Sequence, residues 1–133
     1  MDTNVLSDAR KKDATALRAW ISNQPRLDLA ISVITILELE RGILSVERRD
    51  PVAGRHLRLW LDDQVMPAFE EAIVPVDKDV ARQAARLHIP DPMPEMDALI
   101  AATAMTHNLT LVTRNVKDFR RTNLPILDPN VPY

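Results

Sequence analysis

Cysteine is absent from the chain, and glycine occurs only at Gly42 and Gly54. Without thiols, disulfides and thiolate metal sites are excluded, which suits a cytoplasmic protein. Two isolated glycines cannot build a Walker loop or a G-x-G-x-x-G phosphate turn. The histidines, His56, His88 and His107, stand far apart, and none lies in an H-E-x-x-H pattern; each reads as a surface or half-buried imidazole. No glycine-flanked serine marks a nucleophile elbow. Aromatic residues make up 4% of the chain, so extensive base stacking is not expected of any nucleic-acid contact. No apolar run approaches the roughly 18 residues of a membrane span. The stretch from Met1 to Lys12 carries Asp2, Asp8, Arg10, Lys11 and Lys12 and has no apolar core of a secretory leader. A net charge of −2 supplies no general attraction for a polyanion, so nucleic-acid binding has to be local.

What is present is a chain of 133 residues, 46% hydrophobic and 27% charged, for which one globular domain over residues 1–133 is expected. Apolar residues at helical spacing (Leu17, Trp20, Ile21) predict a helix from Asp13 to Ser22, stopped by Asn23, Gln24 and Pro25. Leu29 to Ile34 (LAISVI) reads as a buried strand and Thr35 to Glu47 as the next helix. Asp50 caps a further helix opened by Pro51. Ile73 to Val76 is a short strand that Pro75 assigns to a sheet edge. Helices follow over Asp77 to Leu87 and, after a linker at Pro90 to Pro94, over Pro94 to His107. Leu109 to Thr113 (LTLVT) is a third strand, Asn115 to Arg120 a short helix, and Pro125 to Leu127 a last strand. Strands separated by helices imply an α/β fold, mainly parallel in its sheet, with helices on both faces.

Carboxylates are the chemistry that remains. In such folds ligands bind beyond the carboxyl ends of the strands. Glu38 is expected in the first turn of the helix after LAISVI, Asp118 just after LTLVT, Asp97 in the first turn of the helix opened by Pro94, and Asp2 at the start of the chain. Each has an ordinary explanation as well. Thr35 and Glu38 have capping-box spacing, Asp97 and Glu95 complement a helix dipole, and Asn115 with Asp118 can form another cap. Acids on four separate segments converging on one sheet edge are, on the other hand, what a hard cation such as Mg²⁺ or Mn²⁺ requires.

Four segments, Asp2-Thr3-Asn4-Val5, Ile34 to Gly42 (ITILELERG), Asp97 to Ala104 (DALIAATA) and Leu111 to Phe119 (LVTRNVKDF), resemble in order the signature blocks of PIN domains of the VapC/FitB type. The resemblance implies a PIN-like fold and a metal-dependent endoribonuclease that acts as the toxin of a toxin–antitoxin pair. It implies Asp2, Glu38, Asp97 and Asp118 as catalytic, metal-holding acids for Mg²⁺ or Mn²⁺, and Asn4, Thr113 and Asn115 as their polar neighbours. A metal-activated water and in-line attack leaving 5′-phosphate ends follow from the same likeness. It implies RNA as substrate, an antitoxin protein and a homodimer as partners, and DNA only indirectly, through the antitoxin. The family places an apolar strand ahead of the first aspartate, whereas only Met1 precedes Asp2 here. A truncated first strand, from a late or shortened start, and a loosened Asp2 are therefore expected.

Two basic stretches offer grips for phosphate: Arg48, Arg49, Arg55 and Arg58, and, beside Asp118, the better placed Arg114, Lys117, Arg120 and Arg121. Ile36, Leu37, Leu39, Ile43 and Leu44, with Leu57, Leu59, Trp60 and Leu61 on the next helix, cover more than one helical face, enough for core packing and a partner groove. Two other functions stay open. One is a catalytically inactive PIN-like scaffold binding an antitoxin or a DNA complex. The other is a receiver-type phosphoacceptor domain, for which Lys117 is a poor candidate lysine.

Overall fold

The computed structural model describes residues 1–11, 13–24 and 29–129; Pro25, expected to stop a helix, lies outside them. Helix α1 (Thr3–Ala9) is capped by Asp2, whose carboxylate accepts from the Val5 N–H. Its polar, seven-residue sequence shows little periodicity, and the sequence reading did not foresee it. Helix α2 (Thr15–Ser22) buries Leu17 and is tied to α1 by Arg18, which donates to the Ala9 carbonyl at 3.1 Å and to that of Lys11.

The strands are shorter than expected. LAISVI yields only β1 (Ile31–Ser32), and α3 already begins at Val33, running to Arg49. Ser32 is its cap, accepting from the Ile34 N–H at 3.0 Å. The β-branched run Val33 to Ile36 is strand-like by composition, but the cap and the burial of Ile34 and Thr35 override that preference. Asp50 ends α3 and caps α4 (Pro51–Trp60), as expected. The hairpin they form is close: a Cβ on Gly54 would lie 2.6 Å from the Glu47 Cα, so no larger residue fits there without moving α3. A π-helical turn (Leu61–Val65) and α5 (Met66–Ala68) lead to β2 (Ile73–Val74). Helices α6 (Lys78–Leu87) and α7 (Glu95–Thr106) pack as a pair, with Ala98, Ala101 and Ala102 wholly buried between α6 and the rest of the core. Then follow β3 (Leu111–Val112), α8 (Val116–Phe119), a 3₁₀ turn (Arg120–Thr122) and β4 (Ile126–Leu127).

Pairing is parallel throughout, as predicted: Ile31 with Ile73 and Ser32 with Val74, Leu111 with Ile126 and Val112 with Leu127. Yet the sheet is two separate pairs, β1–β2 and β3–β4. Among the described residues the only backbone that stitches them is the N-terminus: the Met1 amino group donates to the Ala30 carbonyl at 2.8 Å and the Asp2 N–H to that of Val112 at 3.0 Å. Behind this stitch the gap is a cavity of about 310 Å³ bordered by Trp20, Ala30, Ile100, Ala104, Leu109 and Val112. No helix of the described residues is long and apolar enough to cross a membrane.

Candidate metal centre

Asp2 is only 4% exposed, and both of its carboxylate oxygens are engaged: Oδ1 accepts from the Val5 N–H at 3.0 Å and Oδ2 from the Thr113 hydroxyl at 2.5 Å. Thr113 sits fully buried just past β3, and its oxygen accepts in turn from the Asn115 N–H at 3.0 Å, which directs the hydroxyl proton at Asp2. The loosening expected of Asp2 is therefore not seen. The cap and the threonine hold it. Burial pushes the Met1 amino group down to about 6, and the Asp2 carboxylate opposes that shift.

Glu38 departs from its expected position. With α3 starting at Val33 it lies in the second turn, and the capping role belongs to Ser32, so the Thr35–Glu38 box does not form. The Thr3 hydroxyl instead donates to Glu38 Oε1 at 2.6 Å and lies 3.4 Å from the Thr35 hydroxyl. Thr3 is thus the site residue the sequence reading missed. Contacts between residues 35 apart leave no periodic signal.

Asp97 occupies the first turn of α7, half-buried. Its carboxyl is raised above the ordinary aspartate range, first by burial, then by the charges of Glu38, Asp118 and Asp2. Glu38, Asp118 and Asp2 are thus near enough to Asp97 for their charges to act on it. Asp118 lies on α8 at the exposed rim, its N–H donated to the Asn115 carbonyl at 3.1 Å. None of Glu38, Asp97 and Asp118 has a Lys or Arg within 4 Å among the described residues.

No three acids of the described residues stand close enough to form a ready-made cation cage. Carboxylates that sense one another without touching, and that supply oxygen donors only, suit a hydrated Mg²⁺ or Mn²⁺, which keeps several waters and takes few protein ligands. Of the predicted polar neighbours, Thr113 binds an acid directly and Asn115 acts through its N–H, while Asn4 is exposed on α1 and its side chain makes no hydrogen bond among the described residues.

The basic residues divide. Arg114 Nη1 pairs with Asp8 Oδ2 at 3.2 Å, and Lys117 and Arg120 are exposed beside Asp118. Arg121 donates to the Leu87 carbonyl at 2.5 Å and to that of Asp91, so its guanidinium braces the loop before α7. In the other stretch Arg58 is held by Glu40 and Glu47. Of the apolar excess on α3 and α4, Leu39, Ile43 and Leu61 are core residues, whereas Leu37, Leu44 and Leu59 remain exposed.

Comparison with known proteins gives one answer. The family model described as PIN domain matches residues 1–124. The VapC ribonuclease Y4jK of Sinorhizobium fredii is 31% identical, with 99% of this chain and 97% of its own length covered. Toxin FitB of Neisseria gonorrhoeae is 30% identical, with 97% and 96% covered. The crystal structure of FitAcB from Neisseria gonorrhoeae superposes with a TM-score of 0.86 at 28% identity, over 96% of this chain and 95% of that one. The chain belongs to the PIN domain family, among its VapC/FitB-type members.

Proposed function

We infer that the protein is a metal-dependent endoribonuclease, the toxin of a toxin–antitoxin pair, and that its centre is the cluster of Asp2, Glu38, Asp97 and Asp118. The observation that carries the reading is Asp97 in the first turn of α7, half-buried and raised first by burial and then by the charges of Glu38, Asp118 and Asp2, with no described cation beside it. Such an arrangement costs stability by itself and is offset when a divalent cation binds. Glu38 and Asp97 are the ligands with free reach, while Asp2, having spent a lone pair on each oxygen, anchors the edge of the site. When bound, Mg²⁺ or Mn²⁺ supplies a Lewis acid and an acidified water to phosphodiester hydrolysis. Thr3 fixes one Glu38 oxygen and leaves the other for a ligand, while Thr113 and the Val5 N–H each hold one oxygen of Asp2. Lys117 and Arg120, free of the pairings that occupy Arg58 and Arg121, support RNA backbone contacts near Asp118.

An antitoxin is the proposed partner. An apolar cleft of about 540 Å³ between α1, α2 and the segment from the end of α4 through α5, lined by Leu6, Ile21, Trp60, Val65 and Phe69, supports a protein segment docking there. The test is cleavage of mixed RNA by purified protein with Mg²⁺, Mn²⁺ or chelator. Cleavage should need the metal, and Asp97→Asn should lower it by about 10² or more. Persistent cleavage in chelator would overturn the metal reading, and a stable protein that binds its antitoxin but never cuts RNA would make the chain a scaffold.

A further inference from the structure

Arg114 directly follows Thr113, the residue that holds Asp2, and lies four positions before Asp118, so it stands on the loop between two of the clustered acids. Its guanidinium, nearly half exposed, reaches back to Asp8 at the end of α1 at 3.2 Å. Asp8 is much less exposed and carries a second cation, Lys11 Nζ at 3.1 Å from its other oxygen. That asymmetry matters. If Arg114 leaves, Asp8 keeps a partner, so no carboxylate is left buried and unpaired, and the separation costs little. Arg114, by contrast, has no other described acid partner, and, nearly half exposed, it can take another anion.

We propose that Asp8 is a stand-in for an RNA phosphate, and that Arg114 exchanges it for the backbone phosphate next to the acid cluster when single-stranded RNA binds. This rests on the nuclease reading of that cluster. The geometry favours exchange, because a guanidinium can bond phosphate through two parallel N–H groups, whereas its approach to Asp8 at 3.2 Å is an ion pair that forms no hydrogen bond. A cation on the loop that leads to Asp118 also answers an electrostatic need, since RNA approaching the acids is repelled by them. Arg114 is in this view a positioning residue that selects substrate without touching the reacting atoms.

Three variants test the exchange: Arg114→Gln, Asp8→Asn and the double substitution. Binding of a labelled single-stranded RNA is read by anisotropy in chelator over a range of KCl concentrations. Arg114→Gln should weaken binding several-fold and reduce the slope of log affinity against log salt by about 0.7, the loss of one phosphate contact on a single strand. Asp8→Asn should tighten binding by about 2- to 5-fold, the size expected of releasing an exposed ion pair, and should do nothing once Arg114 is gone. In cleavage assays the same variants should move KM and leave kcat within about twofold. An unchanged salt slope in Arg114→Gln overturns the proposal, as does an Asp8→Asn effect that persists in the double variant. Absence of cleavage with every metal would count against the nuclease reading alone, because the binding comparison decides the exchange without it.

Discussion

Helix α3 contributes to two acidic clusters that differ in what faces them. Glu40 and Glu47 close on Arg58 of α4, which donates to Glu40 at 2.6 and 2.7 Å and to Glu47 at 2.9 and 3.4 Å. Glu38, two residues before Glu40 and therefore about 200° around the helix, joins Asp2, Asp97 and Asp118, where no described cation answers. The consequences have opposite signs. Hydrogen bonds from Arg58 hold Glu47 below the usual glutamate range, while Asp97 is lifted by burial and by its neighbours' charges. A paired cluster is structural glue between two helices. An unpaired one is, in the proposed function, a binding site that the fold tolerates.

The sharpest way to break this comparison is to neutralise one acid from each cluster. Glu38→Gln should reduce metal-dependent RNA cleavage by about 10² or more, because it removes a ligand that no neighbouring side chain replaces. Glu40→Gln should leave the rate within a few-fold, since Arg58 retains Glu47. Initial rates of the two variants at saturating metal measure the ratio. Comparable losses would mean that the two faces of α3 are not functionally separate.

The sequence alone contained much of this picture, and its failures are instructive. Asp2, Asp97 and Asp118 could be singled out because each stands at a helix start, which is a local signal, whereas Glu38 lies a turn further into α3 than expected. The Asp50–Pro51 junction was legible for the same reason. The start of α3 was not, because Val33 to Ile36 has strand-like composition and only the cap at Ser32 and tertiary burial make it helical. Arg58 was read as part of a basic stretch, although its partners lie 11 and 18 residues upstream and meet it only once the hairpin closes over Gly54. Thr3 was passed over in favour of Asn4 because neighbouring polar residues on a short helix cannot be ranked without knowing which side faces α3.

A smaller effect is expected from the paired cluster. Arg58→Met leaves Glu40 and Glu47 of α3 as unpaired like charges and should lower stability modestly at neutral pH, the ion pairs being partly exposed. Glu47 has its pKa lowered in the folded chain, so the contribution of Arg58 is fully present above the unfolded glutamate range and is lost as pH falls through the lowered value. Chemical denaturation of wild type and variant from neutral pH down into the acid range should show two curves that converge. A constant gap would assign the loss to packing of the arginine stem rather than to its charge.

The smallest effect has the opposite sign and tests the unpaired cluster without relying on activity. In chelator, Asp97→Asn removes a charge that burial and three acids disfavour, so it should melt no lower than wild type and gain on the order of 0.5 kcal/mol at neutral pH. The folded pKa of Asp97 is raised, so the folded chain holds the proton to higher pH than the unfolded chain does. Wild type is therefore free of the repulsion in acid and acquires it as pH rises through the unfolded and then the folded value, and the advantage of the variant should vanish at low pH. Adding Mg²⁺ or Mn²⁺ should reverse the order at neutral pH, stabilising wild type by binding the native state and leaving the variant behind. If Asp97 merely complemented the N-terminus of α7, the variant would instead lose about 0.3 to 1 kcal/mol in chelator and metal would shift neither protein. Melting curves of the two proteins at two pH values, with and without divalent cation, separate these outcomes.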